Sequence, residues 1–230
     1  MTVTLAEPTE LAMPPMHAVS VRRREVVLAG LASMVCLASD CARGGPRAAV
    51  SDRLVRVVLR TAVGRIDLAI DIEHAPLSGA DFLRYVHQGL YADGGFYRVV
   101  RADNDPSPVH IDVVQGGVMD PAKALPPVAH EPTSRTGILH KNGVVSLARD
   151  EVGTGSAAAF FICVGDQPEL DFGGRRQPDG QGFAAFGRVL SGMQVVRRIW
   201  QMNVAKADVE GAMSGQMLRP PVRFHSVRRT

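Results

Sequence analysis

Cysteine is scarce in this chain. Its 230 residues hold three, Cys36, Cys41 and Cys163. If the N-terminal segment described below is removed, Cys163 alone remains, which excludes an internal disulfide and a cysteine-based zinc site in the mature domain. The seven histidines show no His-Glu-x-x-His spacing, and Ser146 and Ser156 lack the frame of a nucleophile elbow, so metal-dependent and serine hydrolase readings have no footing. Neither a cofactor nor a metal is expected. Charge of one sign is also lacking: Lys and Arg exceed Asp and Glu by 26 to 23. The cations are scattered and not interleaved with aromatics, which argues against a nucleic-acid partner. The stretch Gly153-Thr154-Gly155-Ser156-Ala157-Ala158 matches a dinucleotide fingerprint as a string. It precedes a strand-like run where that fingerprint must open a helix, and so fails on context.

Apolar residues make up 46% of the chain, enough for a sizeable core. At the N-terminus, Arg22, Arg23 and Arg24 precede an uncharged apolar run over residues 26–37, too short to span a bilayer and of the right length for the core of a signal peptide. Residues 1–41 are read as that signal. The order Arg23-Arg24-Glu25-Val26-Val27 resembles the twin-arginine export signal, with an ordinary secretory signal as the plainer reading, and either places the mature protein in the periplasm. A lipid anchor at Cys41 would need small residues just before it, and Asp40 stands there instead. Residues 42–52, rich in Gly, Ala and Arg, read as a flexible linker, and residues 53–230 as one domain.

Within that domain, apolar alternation and β-branched or aromatic enrichment mark eight strands, at residues 54–61, 65–71, 96–101, 110–114, 143–148, 159–164, 183–189 and 222–227. Pro76 opens a helix whose apolar face is built on Phe82 and Val86, flanked by Leu83 and Leu90, with Gly89 near its C-terminal cap. A second helix is predicted over residues 192–202, with Met193, Val196, Ile199 and Trp200 on one side. Many strands, two helices and turn-rich loops predict a mainly β fold, a closed eight-stranded antiparallel barrel capped by two α-helices.

From Thr61 the chain runs through Gly64, Ala75-Pro76, Asp81-Phe82-Leu83, Tyr85, Gly89, Tyr91 and Phe96-Tyr97-Arg98-Val99-Val100. It continues through Val114-Gln115-Gly116-Gly117, Glu131, Thr136-Gly137, Phe160-Phe161-Ile162-Cys163, Leu170-Asp171, Phe186-Gly187-Arg188-Val189 and Gly192-Met193. This colinear order, over about residues 54–228, resembles the cyclophilin family of peptidyl-prolyl cis-trans isomerases. The resemblance implies an antiparallel barrel with a proline-binding groove on its outer face, and proline-containing polypeptides as partners of a monomer. Arg98 matches the family's catalytic arginine and Gln115 the glutamine that positions it. Val113, Phe161 and Leu170 match the lining of the slot for the proline ring, Ala148 matches a small residue beside the substrate backbone, and Phe183 stands at a groove position usually held by histidine. Phe160 and Phe161 alternate across a strand, so Phe160 is taken as core.

Other groove positions also depart from the family pattern. Tyr97 replaces a histidine, Asp112 an aromatic, Arg149 an asparagine, Ala159 a glutamine and Glu169 a tryptophan. Asp112 is expected to remove part of the apolar wall and Ala159 an amide able to bond substrate or arginine. Gln115, before two glycines, has a competing reading as the cap of a turn. Sixteen residues separate Arg98 from Gln115, a connection longer than usual, whose residues 102–109 are read as a surface loop with solvated acids. The alternative to an active isomerase is a non-catalytic proline-peptide-binding or chaperone module, or a scaffold whose role lies in that loop.

Overall fold

The structure is a computed structural model that describes residues 54–205 and 213–230. The signal segment, the linker and Cys41 lie outside the described residues. In chain order the elements are β1 (Leu54–Thr61), β2 (Gly64–Asp71), α1 (Pro76–His87), β3 (Gly95–Val100), β4 (Val113–Gly117), β5 (Val128–Ala129), α2 (Thr133–Thr136), β6 (Val144–Ala148), β7 (Thr154–Cys163), β8 (Ala184–Ser191), α3 (Met193–Trp200) and β9 (Met217–Arg229).

The strands follow the order β4-β3-β9-β1-β2-β8-β6-β7, and a β4–β7 pairing closes the ring. Every pairing in it is antiparallel. Closure removes the free sheet edges that an open sheet would expose. Strand β5 is a short addition on β7 outside the barrel. The predicted eight-stranded barrel is therefore present, with three helices where two were expected. The extra one, α2, is a single turn ending at Gly137, whose φ of 71° stops it, and four residues are too few to show a helical period in sequence.

Inward-facing side chains fill the barrel. Rings of Phe82, Tyr91, Phe96, Phe160 and Phe224 meet at centroid distances of 5.0–6.2 Å, mostly edge to face, the geometry favoured by aromatic quadrupoles. Helix α1 packs on β7, β8 and β9, while α3 packs on β2, β3 and β4.

The buried face of α1 differs from the expected one. Ser78, Asp81, Phe82 and Tyr85 are buried, whereas Leu83 and Val86 are only partly covered. Asp81 is tolerated inside because its carboxylate accepts the Ala157 N–H at 2.9 Å and an Arg84 N–H at 2.5 Å, satisfying a charge that would otherwise be costly to bury. The helix ends as anticipated: Gly89, φ 67°, follows the last turn, and the Leu90 N–H closes back on the Tyr85 carbonyl at 3.0 Å.

Strand β4 is displaced by three residues from its predicted span and contains Gln115-Gly116-Gly117. Gly117 has φ 150°, and a Cβ there would run into the Ala158 carbonyl. One at Gly116 would sit 2.7 Å from the Gly95 carbonyl oxygen. The two glycines let β3, β4 and β7 close together, so Gln115 is a strand residue and the turn-cap reading fails.

Candidate active site

Alternation along β3, β4 and β7 sorts the side chains into two sets. Val99, Val114, Phe160 and Ile162 point into the barrel core, while Val100, Val113, Phe161 and Cys163 form a second apolar cluster with Ile111 and Leu170 on the outer face, against which Phe183 packs. Arg98 is two residues from Val100, and Gln115 is two from Val113. Register places Arg98 opposite Gln115 and Gln115 opposite Phe161. The arginine, the glutamine and the apolar cluster thus share one face of the barrel.

On that face Arg98 is half-buried and held by two amides. Its Nη1–H donates to Gln115 Oε1 at 2.8 Å, while its Nε–H and an Nη2–H donate to Gln216 Oε1 at 2.8 and 2.6 Å. Burial, and behind it the charge of Arg176, pulls the guanidinium below its ordinary value, yet arginine keeps its proton throughout the accessible pH range. A guanidinium carries five N–H bonds and three are engaged, so one hydrogen on each terminal nitrogen is left for an incoming acceptor.

The apolar side is equally ordered. Phe161, 5% exposed, meets Phe183 edge to face at 5.4 Å and stacks on the His140 ring at 6.0 Å with 17° between planes. Leu170 is fully buried in the short turn of residues 168–170. His140 ties these walls together: its Nδ1 lies 2.7 Å from Asp171 Oδ1 and its Nε2 3.0 Å from Ser146 Oγ. The resulting Ser-His-Asp string is no nucleophile, since Ser146 is fully buried.

Ala148 stands apart from the apolar cluster. With Gln115, Arg149, Ala158 and Ala159 it lines a cavity of about 280 Å³, so Gln115 both holds Arg98 and faces that cavity. Three larger clefts, of 660, 530 and 470 Å³, lie away from Arg98 and include none of the sequence-predicted site residues.

Several replaced positions have compensations that the sequence did not reveal. Asp112 is only partly buried, with its carboxyl pushed up by burial and then by Asp105, and its neighbour Ile111 enters the apolar cluster at 8% exposure. The wall expected to be lost at Asp112 is supplied one residue earlier. Arg149 makes a two-pronged ion pair with Asp179 at 2.7 and 2.8 Å and lies 5.6 Å from the Phe183 ring centroid. Glu169 is paired outward with Arg175 at 2.7 Å, whose hydrogen bond pulls its carboxyl down to about 2.

The long β3–β4 connection is not a solvated loop throughout. Asp103 is exposed, but the Asp105 side chain is fully buried and accepts N–H groups from Arg176 at 2.6 Å and from Ser107 and Ile111 at 3.2 Å. Gln216 and His140 escaped the sequence reading, Ile111 fell within a predicted strand without being assigned to the site, and Asp105 was read as solvated where it is buried. Gln216 lies 118 residues beyond Arg98 and no local pattern marks it. Ile111 could have been found by extending the alternation of β4 backwards.

The model of the cyclophilin type peptidyl-prolyl cis-trans isomerase/CLD family matches residues 56–220. The chain is 35% identical over 150 residues to peptidyl-prolyl cis-trans isomerase A of Dickeya dadantii, covering 64% of this chain and 71% of that protein. It is 33% identical over 147 residues to peptidyl-prolyl cis-trans isomerase cyp18 of Streptomyces antibioticus, covering 62% and 81%. Among solved structures, a cyclophilin type peptidyl-prolyl cis-trans isomerase of Cryptosporidium parvum superposes with a TM-score of 0.54 at 14% identity, over 77% of this chain and 98% of that one. At that identity the likeness speaks for the fold.

Proposed function

The chain belongs to the cyclophilin-type peptidyl-prolyl cis-trans isomerase family and catalyses rotation about the X-Pro bond, and from that premise we propose that Arg98 is the group that acts on the twisting imide. The observation that carries this reading is the arginine's setting: two neutral amide oxygens hold it on the same face as an apolar cluster. Rotation meets a barrier of about 18–20 kcal/mol because the nitrogen lone pair is shared with the carbonyl. As the bond twists, the lone pair localises on nitrogen and becomes a hydrogen-bond acceptor. A cationic N–H aimed there binds the transition state better than either ground state. One charge-assisted bond contributes about 1.5–3 kcal/mol, or roughly one to two powers of ten in rate. Phe161, Val113, Ile111 and Phe183, backed by the buried Leu170, supply the apolar surface for the proline ring, Gln115 fixes the arginine and faces the substrate backbone, and Ala148 leaves room beside it.

Exchange of a proline peptide measured with purified domain tests the assignment. Arg98→Ala should lower kcat/KM by roughly tenfold to a hundredfold, and an unchanged rate sinks it.

Export to the periplasm is part of the same reading, supported by the arginines and the apolar run of residues 22–37. Fusing residues 1–52 to a reporter that works only after export checks it. Replacing Arg23 and Arg24 by lysine should block export by the twin-arginine route and leave an ordinary secretory route intact.

A further inference from the structure

Gln216 is fully buried at the entry to β9, yet its side-chain oxygen takes two of the three hydrogen bonds that Arg98 makes. Its other atoms are fixed as well. The side-chain N–H donates to the Asn104 carbonyl at 3.0 Å, its backbone carbonyl accepts the Val99 N–H at 2.9 Å, and its backbone N–H reaches the Met213 carbonyl at 3.2 Å. Asn104, in the long β3–β4 connection, closes the frame by donating to the Val99 and Gly215 carbonyls at 3.2 Å. The amide can therefore present only its oxygen to Arg98, because its nitrogen is committed to Asn104.

Both acceptors of Arg98 are neutral. Among the described residues the ion pairs engage other arginines: Arg65, Arg84, Arg101, Arg149, Arg175 and Arg176. A carboxylate in place of Gln216 would orient the guanidinium equally well but would cancel the charge that must act on the imide nitrogen.

We propose that Gln216, locked by Asn104 of the extended β3–β4 connection, is a positioning residue that aims Arg98 at the substrate while leaving its charge uncompensated. This rests on the assignment of Arg98 above. It gives the long connection a catalytic purpose, since its backbone fixes the amide that fixes the arginine.

Steady-state exchange kinetics on Gln216→Leu, Gln216→Glu, Arg98→Ala and the Arg98→Ala/Gln216→Leu double variant test the proposal. They are combined with proton–nitrogen spectra of the arginine Nε–H groups. Gln216→Leu should lower kcat about tenfold, the worth of roughly one charge-assisted bond, with KM changed less than about twofold, and the Arg98 Nε–H signal should weaken by faster exchange with water. The same substitution should cost nothing further in the Arg98→Ala background, which a merely structural role would not produce. Gln216→Glu keeps the acceptor, so the Nε–H signal should persist while kcat falls by a similar factor. That variant carries the test alone if Gln216→Leu does not fold. An unchanged kcat in either Gln216 variant, or equal losses in both backgrounds, overturns the proposal. If Arg98→Ala itself leaves exchange unaltered, the underlying assignment fails instead.

Discussion

Replacing Asp105 by alanine removes the most buried acid of the β3–β4 connection, and its cost can be worked from the contacts. The carboxylate is fully covered and accepts three N–H groups, from Arg176, Ser107 and Ile111. Truncation leaves the Ile111 N–H, at 8% exposure, without its acceptor and the Arg176 guanidinium without its counter-charge. Breaking a buried pair from one side costs about 3–5 kcal/mol. Arg176 keeps its 2.6 Å bond to the Val109 carbonyl and some access to water, so the lower end applies, about 3 kcal/mol. For a domain of this size each kcal/mol moves Tm by about 2–4 °C, and calorimetry should show a fall of about 6–12 °C. In a cycle with Arg176→Ala, the double variant should lose about 1–3 kcal/mol less than the two single losses combined, because the stranded charge is gone. Asp103→Ala is the control: that side chain is 72% exposed and its removal should change stability by less than about 0.5 kcal/mol. A Tm for Asp105→Ala no lower than that of the control would refute the view that this connection is built into the domain.

Phe161→Leu, which keeps apolar volume but loses the ring stacked on His140, should lower kcat/KM for a proline peptide by about tenfold, with a stability loss near 1.5 kcal/mol. Equal kcat/KM in variant and parent would remove Phe161 from the proline slot. Burial lowers the affinity of His130 for a proton below its ordinary value near 6.5. The unfolded chain then binds more protons, so this contribution is complete above about pH 6.5 and is lost as pH falls through the lower folded value. The Tm of His130→Asn should accordingly drop less than the parent's between about pH 7.5 and 5.5, and identical slopes would contradict the assignment. The Cys163 thiol is fully buried and pushed far up by that burial. It should resist alkylation in the folded protein and react once unfolded, as read by peptide mass spectrometry; equal labelling in both states would show that the strand opens.

Much of the barrel was legible because its signals are local. The alternation of Ile66, Leu68 and Ile70 placed β2 within one residue of its observed start, and Pro76 and Gly89 bounded α1 correctly. Gly116 and Gly117 misled, since glycine disfavours strands in isolation and the close approach of β3 and β7 that requires it appears only on folding. The burial of Asp81 was not legible for the same reason: the Ala157 N–H that its carboxylate accepts inside lies 76 residues away.

The residue order by itself determined the family and the eight-stranded barrel and singled out Arg98, Gln115 and Phe161 as candidates for the site, because short-range periodicity and a colinear motif are properties of the chain. The tertiary structure alone decided what surrounds Arg98. Gln216, Asn104, Ile111 and the Asp105–Arg176 pair reach the site through contacts between segments distant in sequence. A hydrogen bond's worth depends on distance, direction and burial, and these exist only once the barrel has closed.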